Sequence, residues 1–268
     1  MTEASMDIHP ETTSDRKRRL VLMGEFSAGK STLTNILLDK TPLPMRVTAT
    51  RLPPVQISYG KPAAFAIGYN GESTEIALDK ISDVPFDETL MVNVYMESDV
   101  LQLCDLVDMP GISDPNMRQD IWENIIEPDD NVIWCTHATQ AWRQSEAAIW
   151  KVLSERVSHE NLLIITQFDK LQNERDKRRV LKRVEHETEG LFDAIYPVSL
   201  LDALNSDNDP EVWEASGAAA LSEHVIRILM DGETALPRMP EDINAIVHND
   251  LRNTAALRER AESEQTAL

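Results

Sequence analysis

Gly24-Glu25-Phe26-Ser27-Ala28-Gly29-Lys30-Ser31 is the stretch that decides the fold, because it matches the pattern G-x-x-x-x-G-K-[ST] of a loop that wraps polyphosphate. Residues 19–23 (RLVLM) form a short apolar run typical of a buried strand, and residues 32–38 (TLTNILL) are typical of a helix. In this order, the backbone N–H groups of the loop and the helix N-terminus face negative charge. The sequence therefore predicts a phosphate-binding loop at the end of a strand.

Two side chains of this loop have specific expected roles. Lys30 is expected to reach the β- and γ-phosphates of a nucleotide, and the Ser31 hydroxyl is expected to ligate Mg²⁺. We expect the nucleotide to contact every residue from Gly24 to Thr32. A phosphate loop does not name the base, so the rest of the chain must identify it.

A second apolar run points to the metal. Residues 103–107 (LCDLV) precede Asp108, and Gly111 follows three positions later. An aspartate at the end of a strand can hold Mg²⁺ through water, and a glycine at this spacing can offer its N–H to a γ-phosphate. The pair therefore predicts the metal side of the nucleotide site.

Two further segments concern the base. Residues 161–165 (NLLII) lead into Thr166-Gln167-Phe168-Asp169-Lys170, where the Asp169 carboxylate can accept hydrogen bonds from guanine N1 and N2. Residues 194–198 lead to Ser199-Leu200, where a backbone N–H is expected to meet guanine O6. Adenine lacks the N1 and N2 donors, so Asp169 favours a guanine nucleotide over the alternative of an ATP-using P-loop enzyme.

Together these motifs resemble the GTPases of the dynamin superfamily, and among them they are most similar to bacterial dynamin-like proteins. The specific features are Ser27 in G-E-F-S-A-G-K-S-T, the D-x-P-G form of residues 108–111 and T-x-x-D at residues 166–169. Residues 47–54 (VTATRLPP) resemble the switch I segment of the family. We align its catalytic threonine with Thr50 and keep Thr48 as the alternative. The resemblance covers residues 16–231.

The resemblance implies GTP hydrolysis with Mg²⁺. Lys30 and the metal would neutralise phosphate charge, while Ser31 and Thr50 would hold the metal directly and Asp108 through water. The Thr50 carbonyl would orient the attacking water, with the Gly111 N–H nearby.

One substitution affects the expected mechanism. Ras-like enzymes carry a glutamine directly after D-x-x-G, where this chain has Ile112, and an apolar side chain cannot orient water. In dynamins the residue equivalent to Ser27 contacts the transition state, and a bound monovalent cation with dimerisation across the nucleotide face completes the site. We therefore expect a dimer-stimulated GTPase whose monomer is slow. The alternative is a GTP-loaded switch that recruits a partner and hydrolyses negligibly.

The spacing of the motifs predicts an enlarged sheet. Ser31 and Asp108 are 77 positions apart, more than two strands of a minimal domain need. Residues 55–59, 63–67, 74–78 and 92–96 read as strands of this insertion, with an Asn70-Gly71 turn that is a strong hairpin signal. The expected fold is a three-layer α/β/α P-loop NTPase, mostly parallel in its central sheet, with the nucleotide at the carboxyl ends of the strands.

The sequence also suggests how the chain is divided. We expect a disordered tail over 1–15, a GTPase domain over 16–231, a linker over 232–240, and a C-terminal helix and tail over 241–268. The appended helix is a neck remnant, a helix packed on the core or a partner-binding helix. Since little chain follows it, we expect no stalk of its own, and a partner protein would supply one.

Composition limits the remaining function classes. The net charge of −20 argues against nucleic acid, and leaves at most a peripheral membrane contact. No apolar run approaches the length of a membrane span and no signal peptide is evident, so a cytoplasmic location is expected. Cys104 and Cys135 are expected to be buried free thiols. The basic stretch 175–183 reads as a solvated helix face or a docking face.

The segment over residues 138–146 supports more specific expectations. Residues 138–146 (ATQAWRQSE) resemble a segment of the bacterial family that ends in Ser-Glu before a helix. Ser145 is expected to cap that helix, and Trp142 is expected to be exposed near the nucleotide face, in a dimer contact or packed in its loop.

Overall fold

The computed structural model describes residues 17–38, 52–113, 120–206 and 209–230. Its strands are β1 (Arg18–Gly24), β2 (Val55–Tyr59), β3 (Ala63–Gly68), β4 (Ser73–Ile76), β5 (Thr89–Met96), β6 (Cys104–Asp108), β7 (Asn131–His137), β8 (Leu162–Thr166) and β9 (Ala194–Pro197). Its α-helices are α1 (Lys30–Leu38), α2 (Val100–Leu103), α3 (Asp120–Ile125), α4 (Gln144–Leu153), α5 (Glu174–Glu187), α6 (Leu200–Leu204), α7 (Pro210–Ala215) and α8 (Ala218–Met230). Short 3₁₀ helices cover Leu78–Asp83, Ala138–Gln140 and Phe168–Lys170.

All nine strands form one sheet, in the order β4-β3-β5-β2-β6-β1-β7-β8-β9. The five strands from β6 to β9 in this order run parallel to one another. The insertion joins through an antiparallel contact between β2 and β6 and carries the antiparallel pairs of β3 with β4 and β5. The predicted mostly parallel sheet, enlarged by an insertion, is confirmed.

Helices cover both faces of the sheet. Because the side chains of a strand alternate between its faces, a strand buried on both faces contributes to both core clusters. From β1, Leu20 and Leu22 join a core cluster that includes residues of α1, α6 and α8. Val21 and Met23 join the opposite cluster, which includes residues of α3, α4 and α5. Strands buried on both sides are nearly continuous apolar runs, as residues 19–23 are. The architecture is therefore the predicted three-layer α/β/α.

The strands predicted within the insertion all form. β4 ends at Ile76, two residues before the predicted end, and a 3₁₀ helix follows. The Asn70-Gly71 turn joins β3 to β4, where the Gly71 N–H donates to the Gly68 carbonyl at 2.9 Å. Gly71 has a φ of 79°, which suits glycine in a tight hairpin turn.

The loop before α4 differs from its prediction. Trp142 is only 6% exposed and packs edge-on against Trp134 and Phe192, with ring centroids 6.1 and 5.4 Å away. Its predicted exposure is therefore wrong. α4 begins at Gln144 with Arg143 in the N-cap position, and the Arg143 N–H donates to the Glu146 carboxylate at 2.8 Å. Ser145 is not the cap, because it lies inside the helix, one residue after Gln144.

Several predictions concern parts of the chain outside the described residues. These are the tail over 1–15, the linker over 232–240, the C-terminal helix over 241–268, and both switch I threonines, Thr48 and Thr50. The last helix of the described residues is α8. Within the described ranges, no helix has both the length and the apolar character needed to cross a bilayer.

We predict that both cysteines of the native protein resist alkylation. Cys104 and Cys135 are free and buried, and burial raises the pKa of each thiol to about 12. Since the thiolate is the nucleophile, iodoacetamide at about pH 8 should modify neither residue until urea unfolds the chain. Mass spectrometry of the two samples reads the result directly. Rapid modification of either thiol before unfolding would contradict the burial of β6 and β7.

Candidate nucleotide-binding site

The predicted motifs converge at one edge of the sheet. The phosphate loop connects β1 to α1, and the other motifs follow β6, β8 and β9. Because these strands are parallel, their carboxyl ends lie at the same edge. In open α/β sheets ligands bind outside this edge.

The glycine that opens the phosphate loop is required by a close contact. Gly24 has a φ of 139°, and a Cβ atom there would lie 2.0 Å from the carbonyl oxygen of Cys135 on β7. Any side chain would therefore push the loop off the neighbouring strand. Ser27, further along, also has a positive φ of 58° without being glycine, so the loop holds it in a sparsely populated conformation.

The segment after β6 packs directly against the phosphate loop. A Cβ atom on Gly111 would lie 2.7 Å from both the N and the Cα of Phe26. The Ile112 N–H donates to the Gly24 carbonyl at 3.1 Å, and the Phe26 N–H donates to Ser113 Oγ at 3.3 Å. The Phe26 side chain itself is 53% exposed. Gly111 is therefore needed for the two segments to touch.

The Lys30 ammonium lies inside the loop. Its Nζ donates to the carbonyls of Gly24 at 3.1 Å and Glu25 at 2.8 Å, and only 7% of the residue is exposed. Burial lowers the pKa of Lys30, while the nearby Asp108 carboxylate acts in the opposite direction. The arrangement places a partly desolvated positive charge where the sequence predicts phosphate.

Two of the three residues predicted to hold Mg²⁺, Ser31 and Asp108, are in contact. Ser31 Oγ donates to Asp108 Oδ2 at 2.7 Å, and Asp108 Oδ1 is buried without a hydrogen-bond partner. Burial raises the pKa of Asp108, which Lys30 and the Ser31 hydrogen bond partly offset. Mg²⁺ prefers oxygen ligands and is commonly bound by one or two carboxylates plus phosphates. The pair therefore fits this ion, while the third expected ligand, Thr50, is outside the described residues.

The loop after β8, where the base is expected, also contacts the backbone of the phosphate loop. Thr166 Oγ1 donates to the Ala28 carbonyl at 2.7 Å, and Gln167 Nε2 donates to the Ser27 carbonyl at 2.9 Å. Gln167 adopts a left-handed conformation with a φ of 54°. Sequence reasoning placed these residues at the base, and the structure adds their contact with the loop backbone.

The remaining base-reading residues have different surroundings. Asp169 and Lys170 are exposed on a 3₁₀ turn, so the Asp169 carboxylate faces solvent. Leu200 opens α6, and its Cδ1 is 2.9 Å from where a Cβ atom of Gly29 would be. The Ser199 N–H donates to the Ser216 carbonyl at 2.8 Å, so the structure does not leave this donor free for guanine O6.

One contact of the loop was not foreseen. The Glu25 residue is only 4% exposed, and its Oε1 accepts a hydrogen bond from Ser145 Oγ of α4 at 2.8 Å. Beside it the buried Glu146 carboxylate accepts from Trp134 Nε1 at 3.0 Å and Thr136 Oγ1 at 3.1 Å. The only hint in the sequence was the acidic residue inside the phosphate loop, which identifies no partner.

The fold and the loop define a P-loop NTPase-type domain, and sequence comparison identifies the family. Residues 20–168 match the Dynamin family, and the chain belongs to it. It is 23% identical over 226 residues to Dynamin-like protein 2 of Campylobacter jejuni, and 23% identical over 219 residues to the probable chloroplastic transmembrane GTPase FZO-like of Arabidopsis thaliana. These alignments cover 80% and 77% of this chain, but 35% and 22% of the relatives.

Solved structures agree on the fold. A member of an oligomerised bacterial dynamin pair, described in terms of long-range sensing and tethering of membranes, superposes with a TM-score of 0.59 at 17% identity. The superposition covers 94% of this chain and 39% of that one. The chain thus spans well under half the length of these two relatives and of this bacterial dynamin.

We predict that Gly111→Ala weakens nucleotide binding without unfolding the domain. The new Cβ would clash with the Phe26 backbone and shift the phosphate loop. We expect this displacement to lower the nucleotide affinity about ten- to hundredfold. Affinity for a fluorescent guanine nucleotide is the measurement, with thermal melting as the check on folding. The matched control is Gly60→Ala, whose Cβ would approach only the movable Tyr95 side chain at 3.1 Å. Equal affinities for the two variants would contradict the loop contact.

Proposed function

We propose that this domain binds GTP together with Mg²⁺ and hydrolyses it to GDP and phosphate. The observation that carries the proposal is the 2.7 Å contact between Ser31 and Asp108 beside the buried Lys30 ammonium. These are the hydroxyl, carboxylate and cation that a phosphoryl-transfer site needs, at the phosphate loop of a dynamin-family chain.

Guanine is the proposed base because of Asp169. Its exposed carboxylate can accept hydrogen bonds from guanine N1 and N2, and adenine offers neither donor. The alternative of an ATP-using enzyme has no comparable residue in its favour. Since Ser199 already donates to Ser216, the Leu200 N–H is the better candidate for guanine O6.

The proposed chemistry assigns a role to each side chain. Lys30 neutralises charge on the β- and γ-phosphates, and Gly111 offers its N–H near the γ-phosphate. Ser31, Asp108 and Thr50 would hold Mg²⁺, which when bound supplies further neutralisation of the transferred group. The Thr50 carbonyl, or that of Thr48 in the alternative alignment, orients the attacking water.

Completion of the site is proposed to need a second molecule. Ile112 is a partly buried apolar residue that packs against the core cluster with residues of α3, α4 and α5. Its side chain therefore gives the attacking water no polar partner. Ser27 is the proposed transition-state contact within the chain, with a monovalent cation and a homodimer across the nucleotide face supplying the rest. A GTP-loaded switch with negligible hydrolysis is the second candidate, and the same Ile112 favours it.

The setting of this reaction is also a proposal. We propose a GTPase domain over residues 16–231 that works in the cytoplasm, without nucleic acid and with at most peripheral membrane contact. A partner protein that supplies a stalk is the proposed alternative to a homodimer.

Phosphate release tests the proposal. Release from GTP and from ATP is measured over about a hundredfold range of protein concentration, because dimerisation follows mass action. Specific activity with GTP should rise with concentration, and ATP should release little phosphate. Lys30→Ala is the inactive control, since it removes the charge that the loop presents to phosphate.

The outcomes separate the candidates. Binding of GTP with flat release near background would replace the dimer-stimulated enzyme by the partner-dependent switch. Equal use of ATP would show that Asp169 does not select the base. Undiminished activity of Lys30→Ala would contradict the phosphate site as a whole.

A further inference from the structure

A side-chain contact joins two strained positions across the site. Among described residues other than glycine, only Ser27, Trp142 and Gln167 have a positive φ. Two of these three are bonded to each other, because Gln167 Nε2 donates to the Ser27 carbonyl at 2.9 Å. Such conformations persist where the surroundings over-determine them. The contact therefore fixes the phosphate loop from the base-reading loop.

The contact also sets the direction of a peptide plane. In a trans peptide the C=O and the following N–H point to opposite sides. The Ser27 carbonyl faces Gln167, so the Ala28 N–H faces away, and it donates to the Glu25 carbonyl at 3.2 Å. The same Glu25 carbonyl accepts from Lys30 Nζ at 2.8 Å. A continuous series of hydrogen bonds thus runs from Gln167 to the ammonium that faces phosphate.

Lys170 begins this series. Its Nζ donates to Gln167 Oε1 at 2.7 Å. An ammonium can only donate, so the amide oxygen must face Lys170 and the amide nitrogen must face Ser27. A charge-assisted hydrogen bond to the oxygen also polarises the amide and strengthens its N–H as a donor.

Lys170 is mechanically tied to the base site. It follows Asp169 on the same 3₁₀ turn, and its own N–H donates to the Gln167 carbonyl at 3.1 Å. A base held by Asp169 therefore restrains the turn that carries Lys170.

We propose that Lys170 is a positioning residue that acts through Gln167 on the Ser27–Ala28 peptide, so that guanine at Asp169 favours the phosphate-binding shape of the loop. This inference rests on the proposed function. It adds a residue that is not proposed to contact the phosphates or the attacking water. It makes the identity of the base matter for turnover as well as for binding.

We call the series of contacts from Lys170 through Gln167 to the Ser27–Ala28 peptide the relay. Three changes test it, and one matched change controls for loss of a surface lysine. Lys170→Met keeps the aliphatic stem and removes the donor, and Gln167→Glu turns an acceptor toward the Ser27 carbonyl. The exchange Gln167→Lys with Lys170→Gln provides an ammonium that can donate to Ser27 directly. Lys151→Met, on an exposed position of α4, is the control. The measurements are kcat for GTP, the dissociation rate of fluorescent GDP, and the melting temperature.

We expect Lys170→Met to lower kcat and to speed GDP dissociation, each by about tenfold, with a melting temperature equal to that of Lys151→Met. Gln167→Glu should lower kcat and speed GDP dissociation by more than Lys170→Met does. The exchange should return both rates to within about threefold of the unaltered chain. Recovery by the exchange is a result that a merely structural role of Lys170 would not produce.

Two failures remain distinguishable. If the unaltered chain binds guanine nucleotide and Lys170→Met matches Lys151→Met in both rates, the relay is overturned and the proposed function stands. If the unaltered chain binds no guanine nucleotide, the proposed function fails and the relay fails with it. If the unaltered chain binds guanine nucleotide but does not hydrolyse it, the GDP dissociation rates alone test the relay. Equal rates for Lys170→Met and Lys151→Met would then overturn it.

Discussion

The direction of the carbonyl groups in the phosphate loop is the constraint on which the rest of the site depends. Ala28 O accepts from Thr166 at 2.7 Å, so the Gly29 N–H on the other side of that trans peptide faces the opposite way. Gly24 O likewise accepts from Lys30 at 3.1 Å and from the Ile112 N–H at 3.1 Å. Because Thr166 ends β8 and Ile112 follows β6, the loop keeps its shape only while the parallel strands keep their register.

The insertion enlarges the sheet and also positions the chain that enters it. β2 lies antiparallel to β6, with Val55 paired to Asp108. Residues 52–54 therefore lead into the sheet beside the carboxylate proposed to hold the metal. The alignment of Thr50 as a metal ligand stays a prediction, but this register brings the chain that follows it to the correct edge.

Much of this architecture could be predicted from the sequence, because strands buried on both faces are continuous apolar runs and each ends in a motif at the same edge. Contacts made by packing could not be predicted. Ser145 meets Glu25 across 120 positions of sequence, and nothing local marks the pair. Trp142 was expected at the surface, yet its left-handed backbone turns it into a cluster of aromatic rings. The sequence predicts that a backbone N–H of Ser199 or Leu200 meets guanine O6, and it does not show that the Ser216 carbonyl, in a distant turn, accepts from Ser199.

We propose above all that a guanine nucleotide is held by the phosphate loop and by the loop after β8 together. Calorimetric titration of the whole chain with GDP, and separately with ADP, in the presence of Mg²⁺ tests it most directly. We expect saturable binding of one GDP per chain and no measurable heat with ADP. Equal binding of both nucleotides would contradict the assignment of Asp169, and binding of neither would contradict the site itself.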